Sequence, residues 1–504
     1  MIRPVGIETE YGLNCTGFGE DIDFAYEASL IVRSAPVERA FRGWDYSRED
    51  PRLDLRGERV KSLARDPNDL TDSTWRSSRM SQDELVANTV LLNGARFYND
   101  HNHPEYCTDV CVSLRDLVAQ DKAGERLLAA CERARNEKAD HGRVLVLKNN
   151  TDYHSRSYGT HENYLVSRSL DFDVLVKSLL PYLVARQAIV GAGKVGCEGP
   201  HPGRAAFQIS QRGDFFEETV GINTTARRPI FNTRDEPHAD RRKYRRLHVI
   251  CGDANRSEHA TALKAGMTAM ILDAIEGGRT FELALREPVR AFREFSRDPE
   301  LAATAELEDS RAMTALDIME VYLEAIEEQG PYEGDRGWVA GEWRDLLDLL
   351  RREPQKAADR IDWLAKRELF RELQGGPNPL ADEDLQRIDL AYHVVNPELS
   401  LYDSLVAAGR VRTLVSEGEI ESAMSEPPRG TRAEVRGLLL KKFPEYIANM
   451  EWDTVTLSVE GRTVALKLDE VVGEGIRTLR QTVSAAESIF AVMDEIGGVK
   501  SGHE

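Results

Sequence analysis

The sequence predicts an α+β fold: an antiparallel sheet with helices over one face and a polar cradle on the other, followed by a small C-terminal α+β segment. Three observations lead there. Several short runs alternate apolar with charged residues at the strand period of two. The stretch from Ser257 to about Gly375 carries helical spacing, and a mixed pattern returns after Glu426-Pro-Pro-Arg-Gly430. A sheet with one charged face is what antiparallel strands present when helices bury only the other side. The 504 residues, 41% apolar and 30% charged, are enough to bury a large core, and the net charge of −20 speaks against a nucleic-acid coat.

The first strand is Val5-Gly-Ile-Glu-Thr-Glu-Tyr-Gly12. Alternation sends Glu8 and Glu10 to one side and Ile7, Thr9 and Tyr11 to the other. Two like charges held together call for a cation, and oxygen ligands suit Mg²⁺ or Mn²⁺. A solvated edge strand with two exposed glutamates is the plainer alternative. A helix follows near Phe24 to Val32. From about Glu38 to Asp83 the chain is dense in Arg, Asp, Ser and Pro, anchored only by residues such as Trp44, Tyr46 and Trp75, and is read as an inserted mobile loop.

Order resumes at Asn93, where Gly94 suits a turn and the next residues a strand with Tyr98 and Asp100 on one face. His101, His103 and Glu105 are placed in a Pro-containing turn. A helix over Val112–Asn136 and a strand over Val144–Leu147 come next. The run Gly159 to Leu165 puts His161 and Asn163 on one face. Phe207 to Arg212 alternates again, with Gln208, Ser210 and Arg212 on the polar side. Arg227–Pro237 and Arg245–Asn255 are further strand segments. The C-terminal part predicts a helix over Ala433–Ile447, two strands between Thr454 and Leu468, and a helix over Ile476–Ile496. The division expected is 1–425 and 426–504.

Six cysteines without a C-x-x-C pair fit reduced, mostly buried thiols, and Cys107 and Cys111 are possible neighbours on a helical turn. The most apolar region, Val174–Gly193, contains Lys177, Pro181 and Arg186, so a buried helix is expected and not a membrane span. With no apolar leader after Arg3, the expectation is a cytoplasmic protein with neither membrane nor nucleic-acid partner. Gly191-Ala-Gly-Lys-Val-Gly196 matches a dinucleotide fingerprint in letters only, since it follows a helical run; a glycine helix stop explains it better.

His101, His103, His154, His161 and His248 are metal ligands on residue type, although a lone histidine is more often structural. Their company strengthens the reading. Glu8, Glu10, Glu105 and His161 lie at or beside predicted strands together with Arg212, Arg227 and Arg234. Carboxylates for Mg²⁺ plus arginines for phosphate describe a nucleotide site without a Walker loop.

At these residues a resemblance becomes specific. GIETEYG, NGARFYNDHNHPEY, SYGTHENYL, FQISQRGDFFEE and NTRDEPHADRRKYRRLHVICGDAN resemble the motifs of the Pup-processing enzymes, a branch of the glutamine synthetase superfamily of carboxylate-amine ligases. LYDSLVAAGRVRTLV and the segment from Glu451 extend the resemblance toward the C-terminus. It implies a glutamine-synthetase-like sheet cradle for ATP and Mg²⁺ and a small C-terminal domain. It also implies that Asp100 is catalytic, and that Glu8, Glu10, Tyr98, Glu105, His161 and His248 belong to the metal and active site. Arg212, Arg227 and Arg234 become phosphate contacts, and Trp452 either lines the nucleotide pocket or packs the domains together.

Within the family, the insertion with Gly43-Trp-Asp-Tyr46 and the spacing of Asp100-His-Asn-His-Pro-Glu-Tyr106 resemble the deamidase/depupylase branch. The function implied is deamidation of the C-terminal glutamine of Pup and hydrolysis of the isopeptide bond in pupylated proteins. The alternatives are the Pup ligase and a non-catalytic Pup-binding adaptor. Because Pup is acidic in this family, a basic docking groove is expected, at Arg241–Arg246 or on the helix carrying Arg432, Arg436, Lys441 and Lys442.

Overall fold

The computed structural model describes residues 2–18, 22–36, 38, 40–46, 49–64, 79–199, 206–236, 238–375 and 380–498. Its strands in chain order begin with β1 (Val5–Glu10), β2 (Gly12–Thr16), β3 (Ala40–Arg42), β4 (Thr89–Leu91), β5 (Arg96–Asp100), β6 (His103–Cys107), β7 (Arg143–Leu147) and β8 (Thr160–Ser167). Two-stranded pairs follow from β9 (Lys194–Val195) with β10 (Phe207–Gln208) and from β11 (Glu218–Gly221) with β12 (Pro229–Asn232), and then comes β13 (Tyr244–Val249). Seven strands make the main sheet in the order β13-β8-β1-β6-β5-β4-β3, antiparallel throughout. This is the expected α+β, glutamine-synthetase-like cradle.

β1 sits near the middle, and its burial alternates strictly: Val5, Ile7 and Thr9 are buried, while Gly6, Glu8 and Glu10 are partly open. Its apolar side joins Tyr164, Val166, Leu247 and Val249 beneath the helices Leu114–Lys138, Phe172–Ala185 and Glu258–Glu276. Each such aliphatic chain taken out of water contributes about 1.5–3 kcal/mol. The helices start where the sequence offers caps. Asp23 accepts from the Tyr26 N–H, Ser113 from Asp116 and Asp171 from Val174, each satisfying an orphan donor of the first turn.

Several expectations need correction. The insertion is not uniformly loop: Ala40–Arg42 pairs with β4 as the sheet's edge strand, Leu55 is buried, and a capping box at Ser81 and Glu84 opens a helix over Gln82–Val86. Trp75 lies outside the described residues. Glu105 is on a strand, not in a turn, because His101 and Asn102 alone close the hairpin with φ of 43° and 72°. Phe207–Arg212 is a strand only at its first two residues; beyond them Ser210 donates to Asp253 inside the protein. Cys107 lies on β6, Cys111 beyond it, and all six thiols are free. Gly191 ends a short helix as expected, and Lys194 is buried against Asp214 at 3.1 Å. The last predicted helix is two, Glu474–Ala485 and Ile489–Gly498, because Ala486 turns extended and Ser488 caps the second. No helix among the described residues is long and apolar enough to cross a membrane.

The C-terminal segment folds as the helix Ala433–Lys442 and a three-stranded sheet of Ile447–Met450, Thr454–Val459 and Arg462–Lys467, backed by the two last helices. Its apolar cluster takes in Val90 of β4 and packs on Phe41 and Trp44. The expected basic groove on this helix is absent. Arg432 and Arg436 are buried, Lys441 pairs with Glu426, and Lys442 donates to the Val483, Ser484 and Ala486 carbonyls at a helix end. Arg436 instead donates to the carbonyl of Gly94 at 2.8 Å and pairs with fully buried Asp109. Gly94, at φ +83°, is required there, because a Cβ would meet the Asp109 carboxylate at 2.5 Å.

Arg436→Ala strands the Asp109 charge in the interior, so it should cost about 3–5 kcal/mol of stability. Urea unfolding checks this, and Arg436→Ala combined with Asp109→Ala should recover much of the loss.

Candidate active site

Strand alternation decides which side chains face the open side of the sheet. These are Glu8 and Glu10 on β1, His103, Glu105 and Cys107 on β6, Arg96, Tyr98 and Asp100 on β5, His161 on β8, and Arg246 and His248 on β13. Register sets Glu10 opposite Glu105, Tyr98 opposite Glu105, and Glu8 between Cys107 and His161. Together they floor a cleft of about 2260 Å³. All seven residues expected at the metal and catalytic centre therefore meet on one face.

They form two groups, each with ligand atoms within 4.8 Å of one another. In the first, Glu8 Oε2 lies 3.3 Å from His161 Nδ1 and 3.5 Å from His248 Nε2, while Oε1 lies 3.2 Å from Arg246 Nη1. Burial alone would raise the Glu8 carboxyl, but the histidines and Arg246 outweigh it and hold the group well below its usual range. Burial and Arg246 drive His248 down to about 3, against the pull of Glu8. The ring is neutral, and neither of its nitrogens makes a hydrogen bond of good geometry. A neutral imidazole with a free lone pair beside an ionised carboxylate is a metal-binding arrangement.

The second group is Glu10, Asp100 and Glu105. Glu105 is 3% exposed, and burial together with Asp100, Glu10 and Glu8 pushes its carboxyl well above the usual range; the hydroxyl of Tyr98, donating to Oε2 at 2.8 Å, offsets this only in part. Asp100 goes the other way. Burial would raise it, but His101, whose Nδ1 is 3.0 Å from Oδ2, together with Arg96 and His103, holds it low and ionised. Three converging carboxylates, one of them pushed up by burial and by its acidic neighbours, fit a hard divalent cation such as Mg²⁺.

The expected phosphate arginines divide. Arg212 is buried on the cleft wall, donating to the Ile250 carbonyl at 2.5 Å, and burial with the neighbouring Arg228 lowers it to about 10. Arg234 also lines the cleft; its Nε is unpartnered, and burial, then Arg246, lowers it. An unmatched guanidinium aimed into a cleft is a seat for an anion. Arg227 instead stands at the exposed rim, paired with Glu218. Trp452 is half-buried at the C-terminal side of the cleft, 5.5 Å edge-on from Trp44 and 5.0 Å from the Arg436 guanidinium, so it both lines the cleft and packs the junction. His154 lies in an exposed turn outside both groups.

Sequence reasoning missed Arg96, Arg228 and Arg246. Arg96 and Arg246 carried a signal, because each stands two residues from a recognised site residue on the same strand. Of the expected basic patch at Arg241–Arg246, Arg246 turns into the site and Arg245 donates to the Leu170 carbonyl, while Arg241, Arg242 and Lys243 stay exposed ahead of the strand, the last two beside Asp240. Arg228 sits on an irregular loop, where no periodicity points to it.

An antiparallel cradle floored with carboxylates and imidazoles and walled by buried arginines defines an enzyme of the glutamine-synthetase-like class. More narrowly, the chain belongs to the Pup-ligase protein family, whose model matches residues 3–456. It is 42% identical over 477 residues to a depupylase of Acidothermus cellulolyticus, covering 92% of both chains. It is also 42% identical over 395 residues to a Pup–protein ligase of Acidimicrobium ferrooxidans, covering 76% of this chain and 86% of the ligase. Among solved structures, the complex of Pup with its ligase PafA superposes with a TM-score of 0.77 at 30% identity over all of this chain and 96% of the other. PafA in complex with ADP gives 0.70 at 32% identity over 85% and 96%.

Folding raises the Glu105 carboxyl above its ordinary value of 4.5, so its contribution is fully present below that value and is lost as pH rises through the raised one. In EDTA, Glu105→Gln should therefore be more stable than the parent at neutral pH and less sensitive to rising pH. Saturating Mn²⁺, at about 100 times its Kd, should stabilise the parent by about 2.7 kcal/mol and Glu105→Gln by much less. Thermal unfolding across pH with and without Mn²⁺ checks both.

Proposed function

We propose that this chain deamidates the C-terminal glutamine of Pup to glutamate and hydrolyses the isopeptide bond between Pup and substrate lysines, in the cytoplasm, with ATP and Mg²⁺ bound as cofactor. The observation that carries the reading is the ionised Asp100 beside the carboxylate pair Glu10 and Glu105, at the floor of a cleft whose wall includes the insertion residue Tyr46. The depupylase relative, matched over 92% of both chains, supports the hydrolytic branch, and the ligase crystallised with ADP supports a nucleotide in the cleft.

In this reading Glu8, His161 and His248 hold one cation, and Glu10 and Glu105, with Tyr98 on the latter, hold another. Arg212 and Arg234 face the phosphates, with Arg227 as an outer contact, and Trp452 closes the nucleotide end. When bound with ATP, Mg²⁺ would supply the positive charge that lets the carboxylates share the site and would stabilise charge developing on the substrate carbonyl. Asp100 is held low and ionised by its own neighbours His101, Arg96 and His103. It is therefore suited to attack the γ-carbonyl carbon or to take a proton from the attacking water. Either way the C–N bond breaks, one water is consumed, and ammonia or the substrate lysine leaves. Residues 1–425 would carry this chemistry and 426–504 would form the smaller unit.

A second reading, ligation, is supported by the two solved structures compared above, each of a Pup ligase. Incubation with the Gln form of Pup and ATP separates the two. Hydrolysis adds about one dalton as NH₂ becomes OH; a ligase leaves the Gln form unchanged and joins the Glu form to lysines. Asp100→Asn should lower deamidation by about 10²–10⁴-fold with ATP affinity nearly unchanged. Full activity in that variant removes Asp100 from the chemistry. Two measurements separate its two roles: label in Asp100 after a single turnover in H₂¹⁸O, or capture of Asp100 as a hydroxamate by hydroxylamine during turnover, marks the nucleophile, and label in the product with no captured Asp100 marks the base.

A further inference from the structure

Arg96 is a buried cation on the open face of the sheet. It stands on β5 two residues before Tyr98 and four before Asp100, 6% exposed. Its guanidinium carbon lies 3.9 Å from the centroid of the Tyr98 ring, 4.1 Å from that of Trp44 and 5.4 Å from that of Tyr46. The fork is fixed in that slot: Nε and Nη2 donate to Asn88 Oδ1 at 3.0 and 2.8 Å, and Nη2 to the Tyr46 hydroxyl at 2.8 Å. These acceptors are neutral, and the carboxylate paired with it, Glu49, is 3.8 Å away. Glu49 itself accepts from the Trp44 indole at 2.7 Å, so the outer slab of the stack is held as well.

We infer that Arg96 is a positioning residue for the reaction: packed against Trp44 and Tyr98, it fixes the Tyr98 ring so that its hydroxyl holds Glu105 Oε2. Tyr98 lines the open cleft and its hydroxyl bonds to Glu105 at 2.8 Å. Freed of the guanidinium slab, the ring turns about its side-chain bonds and the hydroxyl leaves the carboxylate. A flat, permanently charged, two-sided surface is what a guanidinium offers and an ammonium does not. The insertion thus takes part in the site through Trp44 and Tyr46, which supply rings against the guanidinium and one anchor of the fork.

The inference rests on the reading of Glu105 as a cation ligand, and its test has a readout apart from turnover. On the full chain, Mn²⁺ affinity is measured by calorimetry without Pup, and kcat and KM for the Gln form of Pup with ATP, for Arg96→Lys, Arg96→Met, Tyr98→Phe and the double variant Arg96→Met with Tyr98→Phe. Outer-shell partners of metal ligands are typically worth 10–100-fold, so each Arg96 variant should lose about 10–100-fold in kcat and in Mn²⁺ affinity, with KM within about threefold. In the Tyr98→Phe background the further loss of Mn²⁺ affinity should be under about twofold, because the effect on Glu105 passes through that hydroxyl, whereas kcat also carries the charge that Arg96 lends to Asp100. A merely structural role lowers the thermal midpoint and the folded fraction but leaves kcat per folded molecule intact, and that result overturns the inference. So do losses of Mn²⁺ affinity that multiply in the double variant. If Arg96→Met does not fold, Arg96→Lys paired with Tyr98→Phe carries the same cycle. A parent that binds Mn²⁺ but ligates Pup refutes the reaction assigned above and leaves the cycle in Mn²⁺ affinity, on which Arg96 is decided, unaffected.

Discussion

Repulsion among four carboxylates on one sheet face is the constraint on which the rest of the site depends. Glu8, Glu10, Asp100 and Glu105 come from three neighbouring strands, and the register brings them too close to ionise together without help. The protein answers unevenly. Glu8 receives two imidazoles and Arg246, and Asp100 receives His101 with Arg96 and His103 near it, whereas Glu105 has one phenol hydroxyl and a neighbouring thiol at 3.2 Å. The missing charge falls where a divalent cation has oxygen donors, and the surplus positive charge of Arg212 and Arg234 falls on the opposite wall. On the function proposed above, a metal-bound polyphosphate would lie between that negative floor and positive wall.

The insertion spans both sides of this arrangement. Trp44, Tyr46 and Glu49 pack on Arg96 beneath the carboxylates. Farther along, Leu55 N donates to the Thr233 carbonyl at 2.7 Å, and Ala64 N donates to Asn223 at 2.8 Å on the loop that carries the arginines. The described part of the insertion is therefore stitched to the floor through side chains and to the wall through backbone. Placed so, it constrains how far floor and wall separate, which bears on substrates that must enter between them.

Strand-period reasoning reads a sheet face well because the rule is local: a residue two positions away points the same way whatever lies around it. Glu8 with Glu10, Tyr98 with Asp100, and His161 with Asn163 were legible for that reason, and Arg96 and Arg246 were available to the same argument. The rule fails where the backbone leaves the strand. Glu105 was assigned to a turn because Pro104 and the histidines look like turn chemistry, yet two left-handed residues close the hairpin and Pro104 is accommodated on β6. Arg227 and Arg228 are neighbours in an irregular loop, and only the loop's path sends one to the rim and the other inward. The basic helix misled for a different reason. Arg432 and Arg436 look like solvent-facing charges in sequence, but a buried carboxylate, Asp109, 327 residues from Arg436, draws one of them into the core.

By itself the sequence determined the α+β class, the polar face of the sheet, the residue types of the carboxylate and imidazole cluster and the family resemblance, because each of these is written in spacing or in ordered motifs. Tertiary structure alone decided which strands are neighbours. That pairing separates the acids into two groups, leaves Glu105 short of positive charge and joins Arg96 to an insertion more than forty residues before it. The physical reason is that hydrogen-bond register and packing act between segments distant in the chain, and a period of two carries no information about which strand lies alongside.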